Sequence, residues 1–374
     1  MRTKLITVHC LLITSFLFLL SSCTPTPEPS LETTLLVYRF NPSAFLELSE
    51  DFQLTKEIPF SIPPSCGLFN TFPAPVGEFM AIELNCPSGQ TVLFLDTSTS
   101  ASTGSAQWLS AGSETGYVSQ AFAESDSHFL AWTYDGKGAY LKADSLGNTH
   151  IVRVSADDKT NEFIPITEFT YDLASKPDSR DFTFTFSRGL GQGSELWLAT
   201  YDGKVVQQLY ADKFNYISFA RWSPDGKQIA FIKIYDTQTP FTVGELWIMD
   251  ADGSNAQKLA DADAGHGYAA NWSPNGKSIA FVVRANPEDE NANQSSDALI
   301  SNIYIIDVET GMSTQITHIT EGRAETPFWS PDGNTLAFDV VINGRMNVSI
   351  ADVASGAIRS LITESTCCPA WMRK

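Results

Sequence analysis

What this chain lacks narrows its chemistry first. Histidine is scarce, at five in 374 residues, and no HExxH occurs. Cys-x-x-Cys spacing is missing, so a zinc ribbon is not expected. There is no phosphate loop, no dinucleotide fingerprint and no Gly-x-Ser-x-Gly nucleophile elbow. We therefore expect no metal, no cofactor and no catalytic residue encoded by a local motif. Positive charge is also short. Twenty-four Lys and Arg face 43 Asp and Glu, a net charge of -19. That repels duplex nucleic acid and anionic headgroups and suits solubility, cationic partners or weak calcium binding. Long helical periodicity is absent, while Phe, Tyr, Thr and Val are plentiful, so the expected class is all-β.

No apolar run reaches the roughly 20 residues of a membrane span. The longest, Leu5 to Leu20, follows Arg2 and Lys4 and fits the h-region of a secretory signal. It ends in Leu20-Ser21-Ser22-Cys23. This resembles the lipobox of bacterial lipoproteins, which implies cleavage before Cys23 and acylation of that residue. Acyl chains contribute ~0.8 kcal/mol per buried CH2, so two or three hold a protein on a membrane. Thr24-Pro25-Thr26-Pro27-Glu28-Pro29-Ser30 follows, an extended tether whose alternating prolines cannot join a ladder. We expect a signal at 1–22, a lipidated tether at 23–33 and one folded domain at 34–374. Thr24 is not the aspartate retention signal of some lipoproteins, which permits the outer membrane in a two-membrane cell. In a one-membrane cell the protein would face outward.

Internal repeats dominate the remainder. Ala220-Arg221-Trp222-Ser223-Pro224-Asp225-Gly226-Lys227 leads into Ile229-Ala230-Phe231. Ala270-Asn271-Trp272-Ser273-Pro274-Asn275-Gly276-Lys277 leads into Ile279-Ala280-Phe281. Pro327-Phe328-Trp329-Ser330-Pro331-Asp332-Gly333-Asn334 leads into Leu336-Ala337-Phe338. Pro, then Asp or Asn, then Gly is the chemistry of a tight turn between antiparallel strands. Each unit reads as a four-stranded antiparallel sheet. Upstream copies are weaker. Ala74 to Gly77 with Met80 to Ile82 is one, with Pro73 where Trp would sit. His128 to Tyr134, Gly138 to Asp144 and Asn148 to Val154 read as the last three strands of another. Tyr171, Phe182 to Phe186 and Glu195 to Asp202 mark a further one.

The two ends complement each other. Cys368-Pro369-Ala370-Trp371 looks like the end of a first strand with nothing after it, while Leu35 to Phe40 and Ala44 to Ser49 look like second and third strands with no first before them. Pairing the C-terminal strand with the N-terminal ones closes a ring and removes its exposed edges. The expected fold is a β-propeller. Third strands near Leu46, Leu93, Leu141, Trp197, Trp247, Tyr304 and Val348 give seven blades, and a misread early copy would give six or eight.

The Trp-Ser-Pro-Asp-Gly-Lys turn followed by Ile-Ala-Phe is similar to the WD40-like (PD40) repeat of the TolB-like propellers and of the dipeptidyl-peptidase IV propeller. The resemblance covers most of the chain as a fold and implies a scaffold that often binds other proteins. TolB-like proteins carry an α/β domain before the propeller and the peptidases a hydrolase domain after it; we expect neither here.

Cys10 would leave with the signal. Of the four cysteines past Cys23, Cys66 and Cys86 fall opposite each other across one hairpin, and we expect them to bond. Cys367 and Cys368 form either a vicinal bridge or, in one case, a bridge to Cys66.

Candidate binding residues gather in the loops between second and third strands and in the links between units. They are Glu288, Asp289 and Glu290 in a long insertion, Asp261, Asp263 and His266 in one link, and His318, Glu321 and Arg323 in the next. Asp250-Ala251-Asp252-Gly253 could share a hard cation, but its recurrence at Asp144 and Asp307 points to turn chemistry. Trp222, Trp272 and Trp329 recur in step with the fold and read as packing between units. The expected function is a membrane-anchored, monomeric, non-catalytic binding lipoprotein of the cell envelope with a protein or glycan partner. The alternative is a hydrolase or lyase using Glu168, Arg221 and Glu325 in a central channel.

Overall fold

The computed structural model describes residues 33–60, 62–63, 65–97, 126–145, 148–155, 160–235, 239–263, 269–362 and 364–373. The chain divides into two compact units, Met1–Leu31 and Glu32–Lys374. The first, with Cys23, lies outside the described residues, and the second carries the fold.

In chain order the strands are β1 (Thr33–Arg39), β2 (Ala44–Leu48) and β3 (Leu54–Pro59), then β4 (Gly67–Pro73), β5 (Phe79–Cys86) and β6 (Gly89–Asp96). Next come β7 (Ser127–Trp132), β8 (Gly138–Ser145), β9 (Asn148–Ser155) and β10 (Asn161–Ile164), and β11 (Thr170–Ser175), β12 (Phe182–Phe186), β13 (Ser194–Ala199) and β14 (Val205–Asp212). They are followed by β15 (Asn215–Trp222), β16 (Gln228–Tyr235), β17 (Val243–Asp250) and β18 (Gln257–Asp263), and by β19 (Asn271–Trp272), β20 (Ser278–Arg284), β21 (Ser301–Asp307) and β22 (Ser313–Gln315). The last are β23 (Arg323–Trp329), β24 (Thr335–Ile342), β25 (Arg345–Asp352), β26 (Ile358–Ser360) and β27 (Thr366–Arg373).

Each group forms its own antiparallel sheet in sequence order, with two exceptions. The groups β19–β22 and β23–β26 touch through a single parallel bridge, Ser301 to Arg323. And β27 joins β1, so the order β27-β1-β2-β3 unites the two ends of the described chain. Ring closure by the C-terminal strand is thus observed.

Burial follows from stacking sheet on sheet. The second and third strands are covered on both faces: all of Phe182–Phe186 and all of Ala44–Leu48 are buried. Outer strands such as Ile358–Ser360 are exposed. Seven hydrophobic clusters, among the described residues, each lie between two successive sheets, and the last packs Leu35 and Val37 of β1 against Ala337, Val348 and Ile350 of β24 and β25. Cys66 is bonded to Cys86 and Cys367 to Cys368 (S–S 2.01 and 2.21 Å), and all four pack on the cluster between the closing sheet and the next.

The repeat motif is explained by its hydrogen bonds. Ser223 Oγ donates to Asp225 Oδ1 (2.7 Å) and accepts from the Gln228 N–H (2.9 Å), while Gly226, at φ +66°, closes the turn on the Ser223 carbonyl. Ser273 with Asn275 and Ser330 with Asp332 repeat this. So does Thr133 with Asp135, which corrects one reading of the sequence. Trp132-Thr133-Tyr134-Asp135-Gly136-Lys137 is a degenerate copy of the motif, so His128 to Tyr134 covers the first strand of its sheet rather than the second. Leu141 then belongs to a second strand, and β9 is the third. Gly136 is required there, because a Cβ on it would lie 2.4 Å from the Val76 carbonyl of the neighbouring turn.

The tryptophans form a ladder from sheet to sheet. Trp272 Nε1 donates to the Arg221 carbonyl, Trp329 to that of Asn271, and Trp371 to that of Phe328 (3.0, 3.0 and 3.2 Å). Trp132 donates to the Phe72 carbonyl (2.9 Å). Each acceptor directly precedes the motif position of the neighbouring sheet. Trp222 breaks the pattern, since its buried Nε1 has no partner among the described residues. A buried carbonyl deprived of its donor costs about 1–3 kcal/mol. Trp329→Phe is therefore expected to lower unfolding stability by about that amount in urea. Trp222→Phe, which removes a donor that satisfies nothing, should cost clearly less; equal losses would refute the ladder.

Candidate functional site

Antiparallel order sends the turns after first and third strands to one end of the sheets. The loops after second strands and the links between sheets go to the other. The second end holds the residues singled out from sequence, but it uses them unequally.

Asp263 ends β18 and is buried. Its Oδ1 accepts from Arg284 Nη2 (3.1 Å), the two side chains being 0% and 1% exposed, and its Oδ2 accepts from Ser301 Oγ (2.6 Å). Arg284 also donates to the Thr242 carbonyl and to Asn293 Oδ1 (3.3 and 3.0 Å), so one ion pair ties β18 and β20 to the loops following β16 and β20. A buried pair is costly to break from one side. Replacing Asp263 would therefore act through folding, and this residue is not presented to a partner. Arg323 is likewise turned to structural use: it donates to Glu325 Oε2 (2.7 Å) and to the Ser296 carbonyl (3.1 Å), holding the insertion after β20.

That insertion is internally bonded. Ala285 N–H donates to Ile300 O (2.7 Å), Asn286 Nδ2 to Ala298 O (2.9 Å) and Asn291 N–H to Asp289 Oδ1 (2.9 Å). Glu288 and Glu290 remain exposed, as do His318 and Glu321. Asp261 is exposed and pairs with Lys258 (2.6 Å). His266 lies outside the described residues. Among the described residues no group of three His, Cys, Asp or Glu is placed to hold a metal. Asp252 and Asp250 accept from Ser254 and Asn255 of their own turn (2.6 Å each).

Sequence reasoning missed the apolar side of this end. Phe40, Phe169, Leu190, Phe214 and Tyr235 are all large, exposed and set in or beside its loops, Phe214 being 79% exposed. They lie on the sheets formed by β1–β3 and β11–β18, which also carry the exposed Glu168 and Asp261, while Glu288, Glu290 and Glu321 lie on the groups containing β20 and β23. Only the loop assignment could have revealed them, because a lone aromatic in a loop carries no periodic signal.

The three channel candidates have separate surroundings. Glu168 is exposed in the link before β11. Arg221 pairs with Asp172 (2.9 Å) and Glu325 with Arg323 (2.7 Å). Beside Glu325, the fully buried Asp339 accepts from Thr326 Oγ1 (2.7 Å) and from the Cys368 N–H (3.0 Å), pinning the closing strand. Burial pushes its pKa up to about 7, with the Glu325 charge adding to the rise. A carboxyl raised in the folded state stabilises fully below its unfolded value near 3.8, and that contribution is lost as pH rises through the folded value. Stability should thus fall between about pH 4 and 7, by on the order of a few kcal/mol from this group. Asp339→Asn is expected to flatten that fall in thermal melts across this range; an unchanged slope would show that the carboxyl is not the cause.

These sheets, stacked face to face and closed by β27, define an all-β propeller of antiparallel blades. Residues 226–372 match the family described as TolB beta propeller domain (PD40). A 46-residue stretch is 52% identical to "Uncharacterized peptidase YuxL" of Bacillus subtilis (strain 168), covering 12% of this chain and only 7% of that protein. A Mycobacterium tuberculosis puromycin-hydrolyzing peptidase has a similar fold (TM-score 0.58, 14% identity, 85% of this chain and 49% of that chain). So does an oligogalacturonate lyase in complex with manganese (TM-score 0.54, 12% identity, 88% and 85%). At such identities the likeness establishes the fold and leaves activity open.

Proposed function

We propose that this chain is an exported, lipid-anchored binding module of the cell envelope. It is a seven-bladed propeller that presents its loop end to a protein or glycan and acts without catalysis, as a monomer. The observation that carries this reading is the exposure of Phe40, Phe169, Leu190, Phe214 and Tyr235 in or beside the loops of one end, which also carries exposed Asp261, Glu288, Glu290 and Glu321. Exposed apolar groups rimmed by charge mark interaction surfaces. The folded domain begins at Thr33, which pairs with Arg373 at the opposite end of β27. The lipobox-like Leu20-Ser21-Ser22-Cys23 supports the anchor. A catalytic channel has less support, since Glu168, Arg221 and Glu325 each have separate surroundings.

Photocrosslinking in intact envelopes tests this. A benzophenone side chain at position 214 or 190 is expected to yield one saturable adduct, competed by unlabelled protein. The same group at position 312, exposed at the other end, should yield none. In the same preparations Cys23→Ser should lose the acyl mass and leave the membrane fraction. Adducts only from position 312, or a Cys23→Ser protein still fixed to the membrane, would overturn the reading.

A further inference from the structure

The indole ladder is interrupted twice. Pro73 stands at the motif position of the sheet containing β4, and Ser175 at that of the sheet containing β11, where Ser175-Lys176-Pro177-Asp178 aligns with Trp222-Ser223-Pro224-Asp225. Ser175 Oγ still donates to the Trp132 carbonyl (2.6 Å), so the contact between sheets persists, but the volume of a ring is missing. Trp222, next around the ring, is the indole left without an acceptor.

Beside both interruptions lies a cavity of about 570 Å³, within the usual range of small-molecule sites. Five sheets besides the closing one contribute to its wall. The wall is aromatic: Phe129, Trp132, Trp222 and Phe328 line it together with Pro73 and Ser175. Phe72 and Phe129 stack at 4.3 Å, and Trp132 meets Phe129 edge-on at 5.8 Å.

Its charge is opposite to that of the chain. Although acidic residues number 43 against 24 basic ones, no Asp or Glu is among the described lining residues, and two arginines, Arg221 and Arg373, are. Arg221 gives Nη1 to Asp172, buried behind it (2.9 and 3.2 Å), and to the Ala220 carbonyl; its Nε and Nη2 have no bond among the described residues. Arg373 is exposed at the end of β27.

We propose that this cavity binds a small aromatic carboxylate. The planar ring takes the space beside Pro73 and Ser175, where it meets aromatic faces in offset or edge-on contact. The carboxylate pairs with Arg373 and with the unengaged edge of Arg221 through charge-assisted hydrogen bonds. The site lies at the turn end of the ring, opposite the loop end, so it stands or falls independently of the partner-binding reading.

Titration of the full chain with indole-3-acetate and with indole-3-acetamide, followed by calorimetry and ligand-observed NMR, tests it. The acid is expected to bind about tenfold more tightly than the amide, as a charge-assisted contact implies. Arg373→Ala should bring the two within about twofold while leaving the amide's affinity unchanged. Ser175→Trp, which puts an indole where the ladder lacks one, should abolish binding of both and keep the thermal melt of the parent. Should Ser175→Trp fail to fold, the acid-to-amide ratio and its loss in Arg373→Ala still decide the matter. Saturable binding of neither probe at millimolar concentration, equal affinity for acid and amide, or undiminished binding by folded Ser175→Trp would each overturn the proposal.

Discussion

The pairing of β27 with β1 is the constraint on which the rest depends. A four-stranded sheet with two apolar faces has no stable existence by itself; it needs a neighbour on each side. In a linear stack the terminal sheets would each leave one such face in water. Joining Leu35 and Leu36 to Trp371 and Ala370 gives the first and last groups of strands a common sheet, and every described core then lies between two sheets. The same strand carries the last rung of the indole ladder, the vicinal disulfide and the backbone N–H that Asp339 accepts. Closure requires contacts between residues more than 300 positions apart. Their entropic cost grows only slowly with loop length, so the reinforcement sits where long-range pairing has the least local support.

The two ends of the ring have different work because strand direction alternates. Tight turns need Ser, Pro, Asp and Gly at fixed offsets, and their side chains are consumed by the turn itself, as with Ser223 and Asp225. Loops after second strands carry no such demand and vary freely. One of them has become a long insertion, yet Arg284 and Arg323 bind it down. Residues that look alike in sequence are therefore divided by depth: Asp261 is on the surface and Asp263 inside. The two positions where the repeat departs from its consensus, Pro73 and Ser175, both line the cavity that has an aromatic wall and two arginines.

Much of the architecture is legible in the sequence. Three near-identical turns, at Trp222, Trp272 and Trp329, exposed the period, and Cys368-Pro369-Ala370-Trp371 exposed the closing strand, because turn chemistry is local and tolerates few residues. The copy at Trp132 was misplaced by one strand. Threonine and tyrosine replace serine and proline there, and Thr133 supplies the same hydroxyl geometry that Ser223 does without the same letters. The loop end was legible only as a set of loops. Its acidic members could be named, but not Phe214 or Leu190, since exposure of a single apolar residue is a property of what fails to cover it.

By itself, the sequence determined the all-β class, the repeat and its turns and the meeting of the two ends, for each follows from short-range chemistry or simple periodicity. The tertiary structure alone decided which carboxylates are buried, that Asp263 belongs to Arg284 and Arg221 to Asp172, and that two substituted ladder positions open onto one space. Those outcomes depend on contacts between sheets tens to hundreds of residues apart, and only the closed ring sets the distances between them.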